Sequence, residues 1–451
     1  MCSSDLAPIA GMPDAPGEAR ALASSGASLF VGGRFSALGG QPRRDLVAVR
    51  ISTGEVLPWA PDATRLGCEF IFGQQFCHDS NLTALAADAS NVYIAMRFFA
   101  SIGYLVEVRA LARATGALVW ANDLNGTVNA LAVADTVLYV GGHSDTPGRN
   151  VIPLRIANGA EIPWGAPVDG ETFALQVTPQ GLAVGGQFTS LGGQPRNNLA
   201  MLDFATGLAT GWNPGADAPV RSLAFAGNTL FCGGDFANLG GQPRSRLASV
   251  ALDTGTPDAW NPCANATVRS LVFDQGVLFA GGDFTTIGGQ PRSSLAAVNP
   301  ATGSVLPLDA GIGSGQRVNS VASAGGHVFA AGTQTTASAE PTLGLTVVTA
   351  PDPTLDVDGP GTRGDRPALL VTPQPARGAA QVRLRLPRAA DAELGVYDLA
   401  GRRIELLSPR ALRPAGEHTF ELAPRRLEPG LYLVRASTTD GNVTAKLVVL
   451  P

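Results

Sequence analysis

Few residues of this 451-residue chain are of types that do chemistry, and most of those recur at fixed places. Arginine closes the run GGQPR at Gly39–Arg43, Gly192–Arg196, Gly240–Arg244 and Gly288–Arg292. A guanidinium fork suits planar anions, so Arg43, Arg196, Arg244 and Arg292 on one face would hold an acidic glycan or a carboxylate. The competing use is structural, with each arginine paired to a loop carbonyl or to an aspartate such as Asp235, Asp283 or Asp253. Strict recurrence favours that use, because binding sites usually break symmetry. A second set varies from copy to copy: Arg20, Thr83, Asn129, Phe173, Arg221, Arg269 and Asn319, each inside a short apolar segment. If those segments line a channel, the set rings its mouth, and Arg20, Arg221, Arg269, Asn129 and Asn319 become candidate ligand-binding residues. Catalysis has little to draw on. His78, His143, His327 and His418 share no motif, and HExxH, GxSxG and P-loop runs are absent. Asp235 and Asp283 could pair for glycoside cleavage, yet they fill the same slot of a repeat. No carboxylate set has EF-hand-like spacing. The expectation is no catalytic residue, no metal and no cofactor.

The elements that would position these residues come from a repeat. LFVGGRF (Leu29–Phe35), LAVGGQF (Leu182–Phe188), LFCGGDF (Leu230–Phe236) and LFAGGDF (Leu278–Phe284) share a glycine pair, and Gly185, Gly233 and Gly281 are 48 residues apart. A period in the forties points to a modular β architecture. The unit Val220–Asn265 holds four strand candidates, Val220–Phe225, Leu230–Phe236, Leu247–Leu252 and Ala259–Trp260, separated by the turn signals GN, GGQP and DTG. Four strands per unit is the blade of a β-propeller. Worn copies at Val92–Met96, Leu138–Gly142 and Val328–Gly332 bring the count to seven units. The first step is long and carries an insertion near Ala63–Ser80. The last unit lacks a fourth strand, and Leu6–Ala10 matches its phase, so the N-terminal segment is expected to close the ring. Glycine inside a strand marks a bulge or a close approach, so the pair is expected to let blades pack.

Composition bounds the rest. Charged residues make up 15%, the net charge is −5 and Lys446 is the only lysine. Without a polybasic run, nucleic acid is not an expected partner. No run of 18 apolar residues exists to span a membrane. Residues 1–20 show neither the basic start nor the apolar core of a signal peptide. Cys68 and Cys77 flank CEFIFGQQFC, a spacing suited to a small disulfide-stapled loop and an oxidising compartment. Cys232 reads as a buried small hydrophobe.

The periodicity ends near Ala350, and residues 351–367 are Pro-, Gly- and Asp-rich, the composition of a linker. Residues 368–451 read as about seven short strands, the pattern of a small β-sandwich. Here TPQPARG (Thr372–Gly378), VYDLAGRRI (Val396–Ile404), AGEHTFEL (Ala415–Leu422), PGLYLVRA (Pro429–Ala436) and KLVVL (Lys446–Leu450) resemble the C-terminal sorting domain of type IX secreted proteins. They also resemble the FlgD-type immunoglobulin-like module. The resemblance implies export, with the type IX machinery as a partner. The repeat half resembles the delta-sixty family of bacterial β-propellers, through GGxFxxxGGQPR followed by LA and TG. It resembles kelch blades as well, through the glycine pair and a later tryptophan, here Trp59, Trp164, Trp212 and Trp260. GGDF is similar to the diguanylate cyclase signature, but as GGRF and GGQF elsewhere it is a repeat element. RGD at Arg363–Asp365 lies in the linker.

The expected fold is therefore all-β: a seven-bladed β-propeller over 6–350, a linker over 351–367 and an immunoglobulin-like β-sandwich over 368–451. The expected function is a secreted or cell-surface binding module whose partner is a glycan or a surface protein. The alternative is an extracellular carbohydrate-active enzyme with its site at the channel mouth.

Overall fold

The computed structural model describes residues 17–349 and 368–449, except 36, 39–40, 44, 60, 62–67, 72–73, 78–80, 101–102, 165–166, 309, 311, 314, 334–335, 338–339, 342–343, 373–379, 387, 398–401, 423–426, 428–429 and 439–440. The proposed closing strand Leu6–Ala10, the linker and the RGD run lie outside the described residues. The chain divides into two compact units, Met1–Val357 and Asp358–Pro451.

In the first unit every repeat becomes an antiparallel sheet. The first strands are Gly17–Ser25, Asn81–Ala87, Thr127–Ala134, Glu171–Thr178, Val220–Ala226, Val268–Asp274 and Val318–Ala324. Each pairs with the strand that follows it, and a third strand pairs on the far side of that one, as in Leu46–Arg50, Gly103–Ala112 and Leu247–Ala251. Each first strand lies beside the first strands of the sheets before and after it, and Gly17–Ser25 lies beside Val318–Ala324, which closes the circuit. A ring of radially stacked sheets is the arrangement of a β-propeller.

The second strands explain the continuous apolar runs in the sequence. They are covered on both faces, so alternation of polar and apolar residues disappears. Leu230 and Cys232 join one core with Trp212 and Phe236, whereas Phe231 between them joins the next core with Trp260 and Leu278. Successive side chains of one strand thus stitch two neighbouring sheets.

The fourth strand is weaker than the sequence suggests. In most sheets it shrinks to a single bridge, such as Val49↔Val56, Leu202↔Ala209, Val250↔Pro257 and Val298↔Val305. Prolines at Pro58, Pro214, Pro257, Pro262 and Pro307 remove backbone donors there. The second sheet, with the proline-free LVWANDL, forms a full fourth strand at Leu118–Leu124.

Tryptophans latch each of the first five sheets to its successor. Trp59, Trp120, Trp164, Trp212 and Trp260 donate from Nε1 to the carbonyls of Ala112, Ile156, Phe204, Ala251 and Asn299 in the following sheet. The recurring turn glycine after each of those carbonyls makes room for the indole: a Cβ on Gly159 or Gly207 would meet the Trp120 or Trp164 ring within 3.0 Å. Both glycines also hold positive φ, +71° and +70°. Trp120 serves as the others do, although its worn repeat hides it in the sequence.

The second unit holds two sheets that share a core. One contains Ala368–Thr372, Ala380–Leu386 and Gly416–Leu422; the other contains Arg403–Arg413, Ala390–Tyr397, Gly430–Thr438 and Gly441–Val449. Val382 and Leu384 from the first meet Leu394, Val396, Val434 and Leu447 from the second. The seven strands fall where the residue pattern of 368–451 puts them.

Candidate functional site

All seven variable positions occupy one structural device. In each first strand the pairing register slips by one residue, between Ala19 and Ala21, Leu82 and Ala84, Val128 and Ala130, Thr172 and Ala174, Val220 and Ser222, Val268 and Ser270, and Val318 and Ser320. The skipped residues are Arg20, Thr83, Asn129, Phe173, Arg221, Arg269 and Asn319. A bulge leaves one residue unpaired and re-aims its side chain. Here the seven side chains line one cavity of about 220 Å³.

The glycine pair divides its work between packing and this bulge. A Cβ on the first glycine would strike a side chain of the next sheet: Leu82 for Gly32, Val220 for Gly185, Val268 for Gly233 and Val318 for Gly281. A Cβ on the second would strike backbone of its own first strand, just before the bulge. For Gly33, Gly142, Gly186, Gly234 and Gly282 the atom met is the carbonyl oxygen of Glu18, Thr127, Glu171, Pro219 and Thr267. The second sheet keeps its bulge at Thr83 with Met96 in that place, so close approach demands the glycine, not the bulge alone.

Around the mouth, donors and acceptors alternate. Arg20 donates from Nε and Nη2 to Glu18 at 2.9 and 2.8 Å and from Nη1 to Asn81. Glu18 also accepts from Asn319 at 3.0 Å, across the junction of the first and last sheets. Arg269 grips Asp283 with two bonds of 2.8 and 2.7 Å, and Arg317 approaches the same carboxylate at 3.6 Å. The Asp283 carboxylate raises the Arg269 guanidinium above its ordinary value, outweighing burial. Arg221 donates one bond, from Nε to Asp235 at 2.7 Å, and its guanidinium lies 4.9 Å over the Phe173 ring. Asp235 also accepts from Thr267 in the next sheet at 2.7 Å. Asn129 donates to Glu171 Oε1 at 2.8 Å and to the Thr172 carbonyl at 3.0 Å. Asp235 and Asp283 therefore answer the channel arginines, not those of GGQPR.

The GGQPR arginines bond to carbonyls within their own sheets. Arg196, Arg244 and Arg292 each donate to the preceding proline carbonyl and to the carbonyl fourteen residues on, at Thr210, Asp258 and Leu306. Arg43 donates to the Pro42 carbonyl at 2.9 Å. They clip the small hairpins that pair Ala37–Leu38 with Gln41–Pro42, Ser190–Leu191 with Gln194–Pro195, Asn238–Leu239 with Gln242–Pro243 and Thr286–Ile287 with Gln290–Pro291 in place. Those hairpins lie beside the interblade loops, as the bridges Val168↔Leu191, Ala216↔Leu239 and Ala264↔Ile287 show.

Sequence reasoning missed the carboxylates Glu18 and Glu171. The signal was present: each stands two residues before its bulge, where other repeats have Pro219 or Thr267. It also missed a hollow of about 670 Å³ between Ser144–Asn150 and Pro167–Asp169, where the third sheet has a shortened loop. Two of its polar side chains are held by loop geometry, Asn150 by Val168 and Gly170, Asp169 by Thr189 and Ser190. In the first-step insertion, Cys68–Ile71 and Gln74–Cys77 form a hairpin that sets Cys68 opposite Cys77. Cys232 is buried and Cys263 exposed, and both are free thiols. Burial pushes the Cys232 thiol up. No helix among the described residues is long and apolar enough to cross a membrane.

Fold and site together define a β-propeller with a polar, bulge-built channel mouth. Residues 370–450 match the family of secretion system C-terminal sorting domains. Residues 370–450 are thus similar to a sorting domain, and that similarity points to secretion or display at the cell surface. A comparison with curated proteins finds no match. Similar solved structures include the Neurospora crassa Pan2 WD40 domain, 12% identical with a TM-score of 0.48 over 78% of this chain and 97% of that one. The WD40 β-propeller domain of Doa1 is 9% identical with a TM-score of 0.44 over 76% and 97%. The computationally designed Ika8 protein is 15% identical with a TM-score of 0.46 over 76% and 99%.

Proposed function

We propose that this is a secreted or surface-displayed binding module: a seven-bladed propeller over 6–350 that presents its channel mouth to a ligand, a linker over 351–367, and an immunoglobulin-like sandwich over 368–451 that serves export or attachment. The GGQPR repeat fits the delta-sixty kind of blade within this reading. The observation that carries it is the coincidence of seven bulges with the seven variable residues in one cavity. Scaffold positions repeat, whereas this slot holds four residue types, Arg, Thr, Asn and Phe. Arg20, Arg221, Arg269, Asn129 and Asn319 are the ligand-facing set, while Arg43, Arg196, Arg244 and Arg292 shape the surrounding loops. The ligand is a glycan or a surface protein, and the type IX machinery is the export partner.

Two experiments test this. A reporter fused ahead of Ala368–Pro451, and given a leader, is expected to reach the surface of a bacterium with type IX secretion, as read by protease accessibility in whole cells. Retention of the fusion inside the cell would remove the export role. Glycan-array and cell-binding assays on the full chain are expected to give hits that weaken when Arg221 or Arg269 becomes methionine. Hits indifferent to both would move the site off the mouth.

Cys68 and Cys77 are proposed to form a disulfide. Directly opposed residues of an antiparallel hairpin have Cα atoms about 4.5–5.5 Å apart, inside the range a disulfide spans. Intact-mass analysis of protein secreted under oxidising conditions is expected to show a loss of about two hydrogens, restored by reductant and abolished by Cys77→Ser. Free thiols at both positions would overturn the assignment.

A further inference from the structure

We infer that the mouth takes a neutral, hydroxyl-rich ligand, the free end of a saccharide, held between Arg221 and Glu171. This deepens the reading of the mouth as the binding site and rests on it. The first argument is charge. The guanidiniums of Arg20, Arg221 and Arg269 meet the carboxylates of Glu18, Asp235 and Asp283, Glu171 adds a fourth negative charge beside Asn129, and Arg317 adds a fourth positive charge at Asp283. The mouth is close to neutral, so a charged ligand gains little from it. Glu171, two residues before Phe173 in the same strand, has no ion pair among the described residues, so its carboxylate offsets the attraction of Arg221 for an anion.

The second argument is where bonding capacity is left over. Arg20 and Arg269 are held by two bonds each to one carboxylate. Arg221 spends only Nε, so its two terminal nitrogens stay available, and the Phe173 ring under it fixes the plane of the fork. Glu171 accepts through Oε1 and keeps Oε2 available, and Asn129 keeps its Oδ1. The open donors and open acceptors therefore stand on the two sides of Phe173, in one sector of the ring. Hydroxyls donate and accept at once, so a diol can answer both sides, accepting from Arg221 and donating to Glu171. Because the guanidinium covers Phe173, recognition in this sector is polar. The third argument is size. The cavity of about 220 Å³ is lined by Asn129, Phe173 and Arg221, with Glu171 behind Asn129 as its acceptor; it falls below the pockets of drug-sized ligands and suits a single small ring.

The test uses the full chain and named probes: the methyl glycosides of glucose, galactose, mannose and N-acetylglucosamine, with glucuronate as the anion and glycine as the zwitterion. Saturation-transfer NMR and calorimetry are expected to show at least one neutral glycoside binding. Glu171→Gln and Arg221→Met are each expected to weaken it about tenfold or more, the scale of one charged hydrogen bond. Phe173→Leu is expected to weaken it less, and unchanged thermal unfolding would show that the variants fold. Binding of glucuronate or glycine in place of the neutral sugars, lost on Arg221→Met, would overturn the ligand class and leave the mouth as the site. Neutral glycosides that bind equally to all variants would overturn both readings. If no glycoside binds while an array or cell hit still depends on Arg221, the saccharide inference fails and the mouth reading stands.

Discussion

Gly234→Ala is expected to cost about 3 kcal/mol of stability, near the upper end of the overpacking range, although it adds one methyl group. The added Cβ would point at the Pro219 carbonyl oxygen and the Val220 Cα, both backbone atoms immediately before the Arg221 bulge. Backbone in a closed ring cannot yield as a side chain can, so the sheet or the bulge must deform. Gly233→Ala next to it meets the Val268 side chain, with Cγ1 at 2.6 Å. That neighbour can be trimmed. Adding Val268→Ala is therefore expected to restore part of what Gly233→Ala loses, and to restore nothing to Gly234→Ala. Gly211, where a Cβ meets nothing within 4 Å, is the control: alanine there is expected to be neutral or to stabilise by a few tenths of a kcal/mol. Urea midpoints at constant slope would measure all of these variants. Equal losses at Gly233 and Gly234, both relieved by trimming Val268, would show that the pair serves packing between sheets alone.

Trp260→Ala is expected to cost about 3–5 kcal/mol, the range for emptying a large aromatic site. The indole sits 5.1 Å from the Phe231 ring, edge to face, and its Nε1 donates to the Asn299 carbonyl at 3.0 Å in the next sheet. The substitution opens a cavity in one sheet and unlatches the next. Trp260→Phe keeps much of the packing and loses the donor, so about 1–2 kcal/mol is expected from the orphaned carbonyl. Because each sheet touches chiefly its neighbours, damage should stay local at first. Hydrogen exchange is expected to quicken in Leu247–Ala251 and Leu295–Val298 before it does in the third sheet. Uniform loss of protection around the ring would mean that the latches do not act pairwise.

Much of this architecture was legible in the residues. The repeat placed the glycine strands, and the turn chemistry of GGQPR and TG placed the loops. The set Arg20, Thr83, Asn129, Phe173, Arg221, Arg269 and Asn319 could be picked out because one slot of an otherwise regular unit kept changing. The change of composition after Ala350 placed the second unit, and its motifs led to the sorting domain. The fourth strands were over-read, since a tryptophan between prolines gives an apolar signal but few donors for a ladder. Asp235 and Asp283 were offered to the wrong arginines, because proximity in sequence to GGQPR says nothing about the partner across the bulge. Glu18 and Glu171 escaped notice because each replaces an unlike residue, and only the ring brings Glu18 to Asn319 from the other end of the repeats.

Local pattern alone determined that this protein is built from repeated antiparallel sheets with a distinct C-terminal unit, because alternation, turn residues and period are properties of short stretches of chain. Tertiary structure alone decided what the variable residues do. A one-residue slip in pairing turns each of them towards the channel, and closure of the ring sets carboxylates from distant strands beside them. Both depend on which backbones meet, and a glycine in the sequence marks that such a meeting occurs without naming the partner.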